Sequence, residues 1–180
     1  MIGNKIIVRV ANADDLKYVQ TIVCEINLSS KDPSTSILIR SPDLIALKIK
    51  QGNAVIAHTI SGTWVGFSYI QSWSNDAFVS NCGLVVASAF RQKGVAGRIK
   101  KKIIALCSHK YPGASLFGLT TSLAVMKINS GLGYLPVTYS EITNETDFWK
   151  ACGSCPDYNI LQSRKGKNCL CTAMLLKNNA

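Results

Sequence analysis

The chain has 180 residues, 47% of them apolar and only 5 of them Pro, enough for one folded domain with a sizeable core, which excludes an intrinsically disordered chain. No apolar run approaches the length of a membrane span, and Met1 to Lys5 lack the charged start, apolar stretch and small-residue cleavage site of an export signal, so a cytoplasmic protein off the membrane is expected. The net charge of +10 calls for an anionic partner: from Ala77 through Ser140 there is no Asp or Glu, while Arg91, Lys93, Arg98, Lys100, Lys101, Lys102, Lys110 and Lys127 fall in that stretch.

Along the chain, Lys5–Val10 alternates and is β-branched, which predicts a strand. Asn12 caps a helix with Asp14 and Asp15 in its first turn, and Leu16, Val19, Val23 and Ile26 recur at helical spacing. Ser29–Ser36 is polar and predicts a loop. Ser41-Pro42-Asp43 starts a second helix that ends near Gly52. Strands Ala54–Ile60, Trp64–Trp73 and Phe78–Ala87, joined by short turns, predict an antiparallel meander. Val95–Tyr111 is the next helix, stopped by Pro112-Gly113. A strand over Leu116–Thr121, a short helix capped by Thr121 or Ser122 and a strand over Tyr134–Tyr139 follow. Ile142–Lys167 reads as irregular, and Cys169–Leu176 closes the chain as a strand. The fold class is α+β: a single domain over 1–180 with a mixed sheet flanked by helices and a Cys-rich segment at 150–172.

The strongest local signal is the strand end Val85-Val86 running into Arg91-Gln92-Lys93-Gly94-Val95-Ala96-Gly97-Arg98, which opens a helix. The first amides of a helix have no internal partners and sit at the positive end of its dipole. Gly94, Ala96 and Gly97 leave room for a diphosphate to reach those amides, and Arg91, Lys93 and Arg98 add charge. The spacing is not that of a Walker loop, and a dinucleotide fold would place its Gly-rich turn after the first strand.

With Arg91, Gly94 and Ala96 in the pattern Gln/Arg-x-x-Gly-x-Gly/Ala, the sequence resembles the GNAT superfamily of N-acetyltransferases, over roughly residues 5–140 plus the last strand. Leu119-Thr120-Thr121 followed by a helix and Gly133-Tyr134 is similar to the acetyltransferase domain of N-acetylglutamate synthases and to small arginine-biosynthesis-associated GNAT proteins of Bacteroidetes. The resemblance implies acetyl-CoA as co-substrate, its diphosphate on the loop amides and its pantetheine arm between Phe78–Ala87 and Leu116–Thr121. It implies acetyl transfer to a small-molecule primary amine, such as that of glutamate. A protein-amine acetyltransferase and a non-catalytic module binding CoA or nucleic acid stay open, although no aromatic residues interleave with Lys100-Lys101-Lys102 to favour nucleic acid. A homodimer is left open as well.

GNAT enzymes often carry a Glu where this chain has Ser80, and a Tyr acid where it has Asn129, whose amide is no true acid but can hydrogen-bond the sulfur. Asp76 is a stand-in for the base through water, and Tyr134 and Tyr139 are stand-ins for the acid. Arg40 and Lys48 are candidate partners for acceptor carboxylates. Cys24, Cys82 and Cys107 fall in apolar periodic segments and are expected as small buried hydrophobes. Cys152-x-x-Cys155 and Cys169-x-Cys171 allow three readings: a structural zinc site, with both side chains of the second pair on one face of a strand, a thiol-sensing pair, or plain reduced cysteines.

Overall fold

The computed structural model describes residues 5–30, 38–155 and 157–177. Strand β1 (Ile6–Val10) leads into a tight 3-10 turn over Ala13–Tyr18. Asp15 fixes that turn: its carboxylate accepts from the Asn12 amide at 2.8 Å and from two Arg9 nitrogens at 2.7 and 2.8 Å. Helix α1 (Val19–Ser30) therefore begins later than its capping residue suggests. It buries Val19, Ile22, Val23 and Ile26. Cys24 lies off that stripe and is exposed, which corrects its expected burial. Ser29 and Ser30, expected to open a loop, end α1; positions 31–36 of that loop lie outside the described residues. Helix α2 (Pro42–Lys50) begins as expected, with the Ser41 hydroxyl accepting from the Leu44 amide.

Strands β2 (Ala54–Thr59), β3 (Trp64–Trp73) and β4 (Phe78–Val86) form the expected meander. Helix α3 (Val95–Lys110) crosses over to β5 (Ser115–Thr120), which pairs parallel with β4. Helix α4 (Leu123–Gly131) and strand β6 (Leu135–Val137) follow; β6 is shorter than expected because Tyr139 starts a 3-10 turn. The 142–167 stretch is less irregular than its composition suggests: it holds α5 (Thr146–Lys150), a 3-10 turn over Ala151–Ser154 and α6 (Tyr158–Ser163). Strand β7 (Thr172–Leu176) inserts between β5 and β6, giving a seven-stranded mixed sheet in the order β1-β2-β3-β4-β5-β7-β6.

Strands in mid-sheet are apolar on both sides because both faces are covered. On one face α3 packs Ile99, Ile103 and Leu106 against Val55, Val65 and Ile70. On the other, α1 and α2 bring Ile22, Ile26, Ile45 and Ile49 onto Ile56 and Phe67. A third cluster docks the C-terminal segment on the sheet: the Phe148 ring meets Trp73 at 5.3 Å, Phe117 at 5.1 Å and Trp149 at 4.9 Å, edge to face in each case. Glu145 accepts from the Ser74 amide and Thr143 bonds the Ser74 hydroxyl, tying the same segment to the β3–β4 turn.

Candidate functional site

The site begins with a fault in the sheet. Strands β4 and β5 pair only at Phe78–Ser115, Val79–Leu116 and Ser80–Phe117. Beyond Ser80 they part and leave a cleft of about 810 Å³. The cause lies in β4. Its register against β3 slips, Phe67 facing Val85 but Tyr69 facing Cys82, so β4 carries an extra residue. Gly83 sits at φ +61°, and a Cβ there would lie 2.9 Å from the Tyr69 ring, so only glycine serves at the bulge. The bulged strand bends away from β5, leaving the edge from Asn81 to Val86 without a strand partner on that side.

The loop closes one end of the cleft. After a 3-10 turn over Ser88–Phe90 the backbone takes a left-handed step at Gln92 (φ +61°) and another at Gly94 (φ +72°), from which α3 starts. Gly94 offers no side chain to cap the helix, and the first turn carries no acid. The amides of Val95, Ala96 and Gly97 are therefore left for an anion. A Cβ at Gly94 or Gly97 would meet nothing within 4 Å, so both face open space. Arg91 lines the cleft and is held by a bond from its Nε to the Val86 carbonyl at 3.0 Å. Two neighbouring cations are engaged elsewhere: Lys93 bonds the Ala89 carbonyl at 2.9 Å, and Arg98 reaches across to the Ile6 carbonyl at 2.8 Å. Gln92 is exposed, and Val95 is buried in the core beneath α3.

The middle of the cleft is walled by Val85, Val86, Gly118, Leu119, Lys100 and Asn129. Lys100 is the surprise of the basic run. Lys101 and Lys102 are exposed, whereas Lys100 is 3% exposed, with its Nζ 5.2 Å from the centre of the Tyr134 ring. Burial lowers its pKa to about 8, and the Cys82 thiol opposes the shift. The Asn129 amide donates to the Met174 sulfur at 3.5 Å, and its Oδ1 is buried without a partner among the described residues. Tyr134 is buried in the core, its hydroxyl also unpartnered, and burial pushes its pKa up.

The far end carries charge of both signs. Arg40 lines it, donating from Nε to the Tyr69 hydroxyl at 2.7 Å, and Glu25 from α1 lines it too. Tyr69 stays protonated because burial raises its pKa. Lys48 is buried beneath, 6.0 Å from the Tyr69 ring and outside the cleft wall, its pKa lowered by burial. Ser80 accepts from the Trp73 indole at 2.8 Å, so the slot of the expected Glu is filled by a neutral pair. Asp76 is exposed in the β3–β4 turn, away from the cleft, and Tyr139 bonds the Cys171 carbonyl at 2.9 Å.

The C-terminal segment closes this end with Phe148, Cys152, Cys155 and Cys171. All four tail cysteines also border a small adjoining void of about 20 Å³. Among the described residues no group of three or more His, Cys, Asp or Glu is arranged to hold a metal ion. Cys169 and Cys171 precede β7, so the strand alternation that would aim both at one ion is missing. Burial pushes Cys152 up to about 11, its neighbours Cys155 and Cys169 adding to the rise, and Cys171 up to about 12.

The sequence singles out the loop but not Glu25, Cys82, Gly83 or Lys100, which line the same cleft. The phase of α3 holds a signal for the last: Lys100 is three residues before Ile103 and seven before Cys107, on the apolar face.

No family model matches the chain, and no curated protein matches its sequence. Solved structures do match. N-acetylglutamate synthase from Neisseria gonorrhoeae, complexed with coenzyme A and N-acetyl-glutamate, aligns over 98% of this chain with a TM-score of 0.65 and 15% identity. The chain spans 36% of that protein's length. Diaminobutyrate acetyltransferase from Paenibacillus lautus, in complex with L-2,4-diaminobutyric acid and coenzyme A, aligns over 99% of both chains with a TM-score of 0.63 and 14% identity. A GNAT phosphinothricin acetyltransferase from Sinorhizobium meliloti, in complex with acetyl-CoA, aligns over 98% of this chain and 89% of its own, with a TM-score of 0.64 and 15% identity. What these proteins share with the chain is the fold.

Proposed function

We propose that this chain, which has the fold of the GNAT acetyltransferases, moves an acyl group, acetyl the simplest, from an acyl-coenzyme A to the primary amine of a small amino-acid-like acceptor. The observation that carries the reading is the parting of β4 and β5 from a shared edge, with the uncapped start of α3 at its mouth. The diphosphate would rest on the amides of Val95, Ala96 and Gly97, with Arg91 beside it. The pantetheine arm would run along the unpaired edge of β4 past Val85 and Val86, in the place a neighbouring strand would otherwise take.

The acceptor would enter by the other mouth. Arg40 offers a guanidinium to a carboxylate and Glu25 a carboxylate to an ammonium, the two ends of an amino acid. Phe148 and Cys152 wall that end, which favours a small acceptor over a protein side chain. Two of the structural neighbours hold amino acids or their acetylated forms, and glutamate metabolism leading to arginine is the setting the sequence resemblance suggests. Alignment of a neutral amine with the thioester carbonyl supplies much of the rate, and with no carboxylate at Ser80 the amine's proton passes to water.

Two measurements test the reading. Gly94→Glu puts a negative side chain at a left-handed position facing the anion site, and should abolish acetyl-CoA binding in calorimetry while circular dichroism stays native. Unchanged binding would overturn the assignment. A screen of amino acids and polyamines, read by thiol release, would then identify the acceptor; release with none of them would leave only a binding module.

A further inference from the structure

We propose that Lys100 is the proton donor to the leaving sulfur: its ammonium, buried in the cleft wall between Cys82 on β4 and Tyr134 after α4, protonates the coenzyme A thiolate as the carbon–sulfur bond breaks. The inference rests on the acyl-transfer reading above and names a group for the step that Asn129 and Tyr134 leave unfilled.

Three observations converge. Lys100 lines the cleft yet is 3% exposed, so its charge faces whatever occupies the cleft rather than bulk water. Among the described residues its ammonium has the Tyr134 ring for company and no hydrogen-bond acceptor or acid. A buried ammonium with three donors and no acceptor is costly to keep, and an incoming ligand that supplies an acceptor relieves that cost. The two alternative donors do not serve: the Asn129 amide lines the cleft but has no proton to transfer, and the Tyr134 hydroxyl lies outside the cleft wall.

The groups facing Lys100 are few. Cys82 faces it from β4 and Tyr134 from beyond α4, and Arg91 stands at the loop end of the same cleft. With its pKa at about 8, close to that of an ordinary thiol near about 8.5, the ammonium passes its proton to a thiolate at little cost. The balance closes. The amine nitrogen bonds the acyl carbon and the carbon–sulfur bond breaks, its electron pair leaving on sulfur. Lys100 gives one proton to sulfur, the new amide gives one to water, and Lys100 regains a proton from water.

The test uses the full chain with coenzyme A labelled with carbon-13 beside the sulfur, its carbon shift followed against pH. In the wild type the bound thiol should titrate about one pH unit lower than in Lys100→Met, the effect of a cation held close to it. Identical titration in both overturns the inference while leaving coenzyme A binding intact. Failure of the wild type to bind coenzyme A in calorimetry overturns the acyl-transfer reading and the inference with it. Once an acceptor is found, Lys100→Arg supplies charge without a transferable proton. Its kcat should fall about 100-fold with an unchanged KM for acetyl-CoA, and the alkaline fall in the wild-type rate near the Lys100 pKa should disappear. Full activity in Lys100→Arg overturns proton donation.

Discussion

Lys100→Met should stabilise the protein, and the amount follows from where the side chain sits. Burial takes Lys100 from the ordinary lysine value of 10.5 to about 8. That drop in proton affinity corresponds to about 3 kcal/mol of destabilisation when the group is charged in both states. Methionine has nearly the same length, keeps contact with the Tyr134 ring and carries no charge to desolvate. At pH 7 the variant should therefore melt about 6–12 °C above the wild type, given about 2–4 °C per kcal/mol for a chain of this size. The sign with pH is fixed. Below the folded value of about 8 both states bind the proton and the whole cost is present. Between there and 10.5 the unfolded chain still binds a proton that the native one has released, so wild-type stability gains on the variant as pH rises. Scanning calorimetry of both proteins at pH 6, 7.5 and 9 should show the gap shrinking from the first to the last. A variant no more stable than the wild type, or a gap independent of pH, refutes the picture of a charged lysine held in the dry wall of the cleft.

The other predictions concern the walls around it. Gly83→Ala forces a side chain into a left-handed position and against the Tyr69 ring 2.9 Å away, and should cost about 2–4 kcal/mol in urea unfolding; an unchanged midpoint means the bulge does not require glycine. Arg40→Ala should raise KM about 10–100-fold for acceptors bearing a carboxylate while leaving kcat within a few-fold, and should spare a neutral amine; equal effects on both acceptors would remove Arg40 from recognition. Elemental analysis of purified protein should find well under one zinc per chain, and stoichiometric zinc that disappears in Cys152→Ser would restore the metal reading.

What was legible in the sequence was local. Ser41-Pro42 starts a helix, Gly94 permits the left-handed turn that α3 starts from, and the short turns that join β2 to β4 need only neighbouring residues to show themselves. The loop could be placed because its chemistry resides in amides that any sequence with small residues exposes. The place of the cleft, between Phe78–Ala87 and Leu116–Thr121, came only through the family resemblance; its cause was not legible, since it is a mismatch of register between β3 and β4 that only pairing reveals, and Gly83 by itself is one glycine in an apolar run. The cysteine pairs show a different limit. Their spacing suited one metal ion, but the chain order of β7 puts Thr172, not Cys169 or Cys171, against Thr120 at the strand's start. Cys24 fell to the same cause, lying within an apolar helix yet outside its buried stripe.

The electrostatics of the cleft bear on what it selects. The charged side chains along its described wall are Arg40, Arg91 and Lys100 against Glu25. Three cations and one carboxylate in a partly dry space disfavour a dicationic acceptor and favour one whose net charge is zero or negative. Cys152 and Cys171 add nothing to this balance: at about 11 and about 12 they remain neutral thiols at physiological pH. Neutral thiols are poor nucleophiles, so under the proposed transfer an acyl group would not be diverted onto them. The segment that carries these cysteines therefore contributes an uncharged wall held by the Phe148, Trp73 and Phe117 rings, and discrimination between acceptors falls to the Arg40 and Glu25 pair facing it. On this account an acceptor's carboxylate and its amine are read by opposite charges at one mouth, while the anionic donor is read by Arg91 and bare amides at the other. Under the proposed function the two substrates would thus be kept from exchanging places by the distribution of charge as well as by shape.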